Sequence, residues 1–538
     1  MALIDSSDNG SHLPIPCYKN LKIITVNILL KYPNLMIPLK LPSFLHNLKH
    51  NLFPKYFLHS FLAAGCDIIS ENLNLKNVHI DHLYADAAVN LIKLENGNSD
   101  PHLIWAITLL SIYHWKNMDR KQMDYLSIRS QLLVHLSHYL PPPPIFLLIK
   151  KSKLYKLDSE RNFYNKLSPE DMEFNRRVWW TFYIFVNGVY NFTVGFPVIQ
   201  DRDINVKYPT DDYYYRYGGE YNNIDKEIVK LNAHANKNKK NKYNLPSDNF
   251  SLLIATYRLF SKIISFTSTR WISKKKDQNK INANFIKLCS NLKSLKSIID
   301  TKYPTSVFID HHLYFSILSG FSLAKTAEFT TTGYTAHQLY HTLQIVLYQS
   351  EIVRMKHPLI HPKRIKTAKL ECLKSATELA SLFAWKIKNI PKKIWGYNIT
   401  AWKIHTLTIL SNFYFLSLKN QSKKYNIYEK FIKNYKASSK SKPIFPLIDA
   451  CIHNLLKIKN AEFIKYDCLP LHLADQMAPY SISQNDLYPW IVPKYSSFCK
   501  FVCCFSANFS SVLTADYLFL NDYKNSINLK NININPLP

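Results

Sequence analysis

The sequence predicts an all-α fold, a large multi-helical array of two helical halves joined by a Lys/Asn-rich loop, and three observations predict it. Glycine is scarce, only 10 of 538 residues, whereas β architectures spend glycine on turns and bulges. Apolar residues recur at the 3.6-residue helical period in one segment after another. Between the two groups of segments lies AHANKNKKNKYNLPSDN, residues 233–249, which is too polar to pack. With 47% hydrophobic residues the chain holds enough apolar surface for a large core. At this length it needs two domains or one long array, because single cores stop growing at roughly 250–300 residues.

Taken in order, residues 1–40 form a lead whose pattern assigns no element, and residues 41–232 form the N-terminal half. A thoroughly apolar helix is expected over 54–70. From Asp81 an amphipathic stripe follows, Leu83, Ala87, Leu91 and Leu94 beside Tyr84, Ala88 and Ile92, and it stops at the Asn96-Gly97-Asn98 turn. Further helices are expected over 103–115 and over a segment carrying Tyr125, Ile128, Leu132, Leu136 and Tyr139, ended by the prolines 141–144. Ser168-Pro169-Glu170-Asp171 supplies an N-cap serine, a proline at the first helical position and acids in the first turn, so a helix begins there. Beyond the loop, residues 250–526 form the C-terminal half, with helices over 252–267, 285–299, 311–329, 336–355, 365–387 and 400–418. Residues 527–538 read as a loose tail.

Residues 179–199 are 21 residues without a charge, long enough to span a bilayer. They contain Asn187, Gly188, Asn191, Gly195 and Pro197, which predict a buried helix ending in a turn and no membrane partner.

Lys and Arg outnumber Asp and Glu by 68 to 38, giving a formal net charge of +30 that attracts polyanions. The excess is mostly lysine amid abundant Asn, Ile, Tyr and Phe, all with A/T-rich codons. Only clustered charge tracking phosphates would diagnose nucleic-acid contact. The 233–249 segment reads as a solvated loop or as a nuclear import signal.

Several chemistries are excluded. No two glycines stand at the spacings of a dinucleotide-binding fingerprint, a P-loop or a nucleophile elbow. The nine cysteines are scattered and odd in number, and no leader of the secretory type opens the chain, so a reducing intracellular compartment is expected. No C-x-x-C or H-E-x-x-H occurs. His46 and His50 share a helix face without a third ligand, Asp310-His311-His312 reads as a helix cap, and Cys499, Cys503 and Cys504 read as buried thiols among aromatics. No catalytic residue and no metal ligand is assigned, and the chain is not expected to be an enzyme.

Residues 173–209 read EFNRRVWWTFYIFVNGVYNFTVGFPVIQDRDINVKYP. Trp179, Tyr183 and Val186 fall on one helix face, with Trp180, Ile184 and Asn187 beside them, an aromatic mass that anchors a core. Arg176 and Arg177 stand at the wetter end, placed to pair with Asp201 or Asp203 after the Gly195 to Pro197 turn. Trp180, Tyr183, Tyr340 and Trp402 are candidates for lining an apolar pocket, with a filled core as the alternative.

The same segment resembles the signature of the fungal-specific transcription factor domain, the regulatory middle region of binuclear zinc cluster transcription factors. The matching positions are Glu173, Arg176, Arg177, Trp179, Trp180, Tyr183, Gly195, Pro197, Asp201, Asp203, Ile204, Val206 and Pro209. Tyr340, His341 and Pro358, and Cys372 with Ala376, resemble later helices of that family. The pattern departs at Asn187, Gly188 and Phe196, where the family has Asp, Arg and Arg. The resemblance implies a nuclear regulator of RNA polymerase II transcription, working as a homodimer or a heterodimer with a related regulator and contacting the transcription machinery. It also implies zinc in a six-cysteine DNA-binding cluster. Only Cys17 and Cys66 precede residue 280, so zinc is expected only in a missing N-terminal module, with DNA reached indirectly or through it. A non-DNA-binding interaction scaffold in the nucleus is the alternative.

Overall fold

A computed structural model describes residues 13–67, 80–95, 100–117, 152–159, 167–193, 199, 201–209, 215–216, 249–270, 277–304, 321–352 and 362–390. These residues are 83% helical, hold no strand and form ten α-helices, the expected all-α array. The predicted helices carrying Tyr125 to Tyr139 and over 400–418, most of the 233–249 loop, the cap at Asp310, the C-terminal cysteines and the tail lie outside the described residues.

The N-terminal group is built on α3. Helix α1 (Tyr18–Lys31) leads through a 3-10 turn (Pro33–Leu35) to α2 (Leu41–Lys49) and then α3 (Lys55–Gly65). Prolines start the second and third of these, Pro42 in the first turn of α2 and Pro54 as the N-cap of α3, where a missing N–H costs nothing. Asn51, at φ 52°, turns the chain between them. Helix α3 packs against α1, against α4 (Ile80–Leu94) and against α5 (Pro101–Asn117). Asp100 caps α5 by accepting a 2.9 Å bond from the His102 N–H, and its other oxygen accepts the Tyr56 hydroxyl at 2.6 Å. Phe44, Phe53, Phe57, Phe61 and Trp105 form one aromatic cluster, the closest pair being Phe57 and Trp105 at 4.7 Å.

Helix α1 was hidden from pattern reading because residues 24–30 are all buried, so no solvated face marks it. Its buried Asn27 donates to the Gly65 carbonyl at 3.1 Å and to Asp67 at 3.0 Å, and Lys31 meets Asp67 at 2.5 Å. Gly65 lets α3 close on α1, since a Cβ there would lie 2.6 Å from Ile24 and 2.7 Å from Ile28.

Helix α6 (Pro169–Thr193) joins the groups, packing on α5 and on α7 (Asn249–Thr269). The predicted cap is present, with the Asp171 N–H donating to Ser168 Oγ at 3.1 Å. Then come α8 (Gln278–Lys302), α9 (Phe321–Ile352) and α10 (Pro362–Asn389). Helix α9 packs against α10, α7, α8 and α1, so one hydrophobic core runs from Leu21 to Leu347 across both sides of the 233–249 loop. Arg270 of α7 ties to Ser350 and Glu351 of α9, and Arg364 of α10 reaches the same Glu351.

The two helices expected over 311–329 and 336–355 are corrected to a single α9 running through Gly333. Three threonines and a glycine disfavour helix locally, but Thr330 and Thr332 are buried and packing on four helices outweighs propensity. Among the described residues one helix segment, Asn249–Thr267, is long and apolar enough to cross a membrane, and 78% of it is buried inside the protein, as in a core helix.

Gly65→Ala should cost about 1–3 kcal/mol through overpacking of Ile24 and Ile28, read as a lower urea midpoint with unchanged slope. Wild-type stability in that variant would refute the close approach.

Candidate functional site

The acid and arginines of 173–177 lie early in α6, and the structure makes them part of a clamp on the chain between α1 and α2. Residues Met36, Ile37 and Leu39 are fully buried although they belong to no helix. Four successive carbonyls there are each satisfied from a different side chain. Trp105 Nε1 donates to Leu35 O at 2.7 Å, Arg216 to Met36 O at 2.8 Å, Arg177 to Ile37 O at 3.5 Å and the Tyr215 hydroxyl to Pro38 O at 3.2 Å. Arg177 is wholly buried, and its charge is balanced by Glu173 one turn earlier at 2.8 Å. Its guanidinium also lies 4.0 Å over the Tyr215 ring, and that of Arg216 lies 4.8 Å over Phe250.

Arg176 meets Asp158 in a bidentate pair, Nε at 3.0 Å and Nη2 at 2.5 Å, with Glu173 at 3.4 Å. Asp158 also accepts the Lys207 N–H at 2.8 Å. Burial would raise the Asp158 carboxyl, but the bonds from Arg176 and Lys207 hold it below its ordinary value. The expected pairing of Arg176 and Arg177 with Asp201 or Asp203 is therefore corrected. Asp201 returns beside Tyr183, seven residues and about 10 Å farther along α6. Residues 152–159 fill the nearer place, because Asn205 N–H donates to Tyr155 O at 2.8 Å and Asp158 N–H to Asn205 O at 3.0 Å, laying that segment against the end of α6. Asp203 lies at the surface, 3.8 Å from Arg202.

The aromatic turns of α6 carry the second part of the site. Trp179, Trp180 and Tyr183 are buried, as expected of core anchors. Trp180 Nε1 donates to Lys207 O at 2.7 Å, and its ring stacks on Tyr208 at 5.6 Å and meets Tyr183 edge-on at 5.3 Å. The Tyr183 hydroxyl donates to Asp201 at 3.3 Å, and burial with the Asp201 charge pushes it far up, so it stays neutral. Asp201 also pairs with Arg258 at 3.3 Å and Lys262 at 3.4 Å, both on α7, while Arg258 reaches the Tyr208 hydroxyl at 3.2 Å. Asn187, where the chain departs from the family pattern, accepts the Ser261 hydroxyl at 2.6 Å and donates to Tyr183 O at 2.9 Å. The result is a polar network seaming α6 to α7.

Of the four proposed pocket residues, the structure brings together Trp180 and Tyr183. Tyr340 has different ring partners, His341 at 4.9 Å and the Lys296 ammonium at 5.5 Å, and burial raises its hydroxyl to about 12. Trp402, Gly195 and Pro197 lie outside the described residues. On α9, His337 donates from Nε2 to Tyr303 O at 2.7 Å, and His341 is buried beside it. Burial lowers both histidines, His341 most, and Lys296, Lys374 and His337 reinforce the drop at His341. Cys372, against Ile345 O at 3.7 Å, is pushed up by burial and packs as a neutral thiol.

Among the described residues no group of three or more His, Cys, Asp or Glu side chains is placed to hold a metal ion. What the arrangement does chemically is bind carbonyls, carboxylates and rings of its own chain. Sequence reasoning missed Asp158, Tyr208, Tyr215, Arg216 and Arg258. Each lies far from its partner in the chain, and the only available signal was the Tyr/Arg run YYYRY before residue 218. No family model matches the chain, and comparison with curated proteins and with solved structures likewise gives no match.

Arg177→Met should cost about 3–5 kcal/mol, because it removes the buried partner of Glu173 and the donor to the Ile37 carbonyl. Trp180→Ala should cost a similar amount, about 3–5 kcal/mol, by opening a cavity and losing the Lys207 bond. Denaturant titration of either variant near wild type would refute the clamp. Acid supplies a separate check. Histidines with lowered folded values give stability that is intact above the unfolded value of about 6.5 and lost as pH falls below it. The melting temperature should drop between pH 7 and pH 5, with a shallower drop in His341→Gln; a pH-independent profile would refute this.

Proposed function

We propose that the chain is a regulatory domain of a fungal transcription regulator of the binuclear zinc cluster class, acting on RNA polymerase II transcription without a DNA-binding module of its own. The observation that carries this reading is the behaviour of the 173–209 motif. Glu173, Arg176, Arg177, Trp179, Trp180, Tyr183 and Asp201, the residues that carry the resemblance, all hold one helix to its surroundings. A signature made of structural contacts marks a domain architecture, and an architecture hosts a role that must come from its sites. On this reading the domain works in the nucleus as a homodimer or with a related regulator, meets the transcription machinery through its helical surface, and depends on a zinc-bearing module elsewhere to reach DNA.

The test is tethering. Fused to a heterologous sequence-specific DNA-binding module in a fungal nucleus, the chain should change transcription of a cognate reporter, and Arg177→Met should abolish the change. A folded, nuclear fusion that leaves the reporter untouched would favour the scaffold alternative. Purified chain should show no site-selective binding to genomic fragments at moderate salt. Selective binding there would overturn the dependence on another module.

A further inference from the structure

We propose that His46 and His50 form a two-imidazole chelate for a divalent transition-metal ion of the nickel, copper and zinc class. The pair stands on the last turn of α2 and its C-cap, four residues apart, with the His50 N–H still donating to His46 O at 3.1 Å. Helical spacing therefore holds at both positions. The ring centroids lie 4.5 Å apart with the ring planes tilted by 46°. Two imidazole nitrogens on one ion each stand about 2.0–2.1 Å from it, which requires ring centres roughly 4–5 Å apart. Both side chains are exposed, and neither ring nitrogen is committed to another described residue. Among the described residues, metal binding breaks no hydrogen bond of either ring.

Two features of α2 favour a cation there. The pair stands at the C-terminal end of α2, where the helix dipole places partial negative charge that stabilises positive charge in the last turn. The opposite face of α2 is fixed, with Leu41, Phe44 and Leu48 buried and the Phe44 ring against Phe53, Phe57, Phe61 and Trp105. The backbone carrying the pair is thus preorganised.

His337 and His341 on α9 have the same spacing and make a natural contrast. They are buried and His337 is spent on Tyr303 O, so that pair lacks both solvent access and a free set of ring nitrogens. Among the described histidines, the α2 pair combines the spacing with free ring nitrogens and solvent access. With two protein ligands, water completes the coordination sphere. Bound metal staples the last turn of α2 to its cap and stabilises the folded chain by mass action.

The test is calorimetric titration of Ni2+ into metal-stripped full-length chain, comparing wild type with His46→Ala, His50→Ala, the double variant and His82→Ala, an exposed histidine of α4. The double variant should lose one equivalent. Each single variant should bind that equivalent about tenfold or more weakly, because removing one ligand removes the intramolecular second bond. His82→Ala should match wild type. Far-UV circular dichroism should be the same throughout, since the substituted rings are exposed. An unchanged number and affinity of equivalents in the double variant, or an equal loss in His82→Ala, overturns the proposal.

Discussion

The buried chain between α1 and α2 sets the terms for the rest of the structure. Its carbonyls at Leu35, Met36, Ile37 and Pro38 lie outside any α-helix and take side-chain donors, with Met36 O also accepting the Leu39 N–H at 3.1 Å, and a buried carbonyl left unpaired costs about 1–3 kcal/mol. Their donors come from α5, from α6 and from residues 215–216, so those three parts of the chain must converge on one place. Arg177 can serve there only because Glu173 neutralises it from the same helix. A buried charge with one partner removed is among the costlier defects a core can hold.

From that point the fold grows outward along α6. Its first turns are held to residues 152–159 and 204–207 through Asp158, and its middle turns to α7 through Tyr183, Asp201 and Arg258. A second ionic knot, Arg270 and Arg364 on Glu351, performs the same service where α7, α9 and α10 meet. Both knots bury arginine beside aromatic rings, Tyr215 in one and Phe266 and Phe285 in the other. The flat, weakly hydrated guanidinium suits such sites in a way lysine does not. This explains how a chain whose basic excess is mostly lysine still places arginines at its internal junctions.

The legibility of the helices followed the local signals in their sequences, an amphipathic stripe, an unbroken apolar run or a capping residue. Helix α4 and the start of α6 were readable because an amphipathic stripe and a capping serine with proline marked them, and α3 and α5 because their apolar runs are long enough for a buried helix. Helix α1 and the continuity of α9 were not, because neither carries an amphipathic stripe and Gly333 with its neighbouring threonines reads as a break, although packing on four helices carries α9 through it. The site divided in the same way. The anchoring role of Trp179, Trp180 and Tyr183 was visible in their helical spacing, whereas the partners of Arg176 and Arg177 were not.

The sequence by itself determined the all-α class, the Ser168 cap of α6, its aromatic anchor and the lack of common catalytic motifs, since each depends on residue identity and short-range spacing. Only the tertiary structure decided that Asp158, not Asp201 or Asp203, takes Arg176, and that Arg216 seals the Met36 carbonyl 180 residues away. Ion pairs and carbonyl caps are chosen by distance in space. That distance is fixed only after the helices have packed, so no local pattern in the chain encodes it.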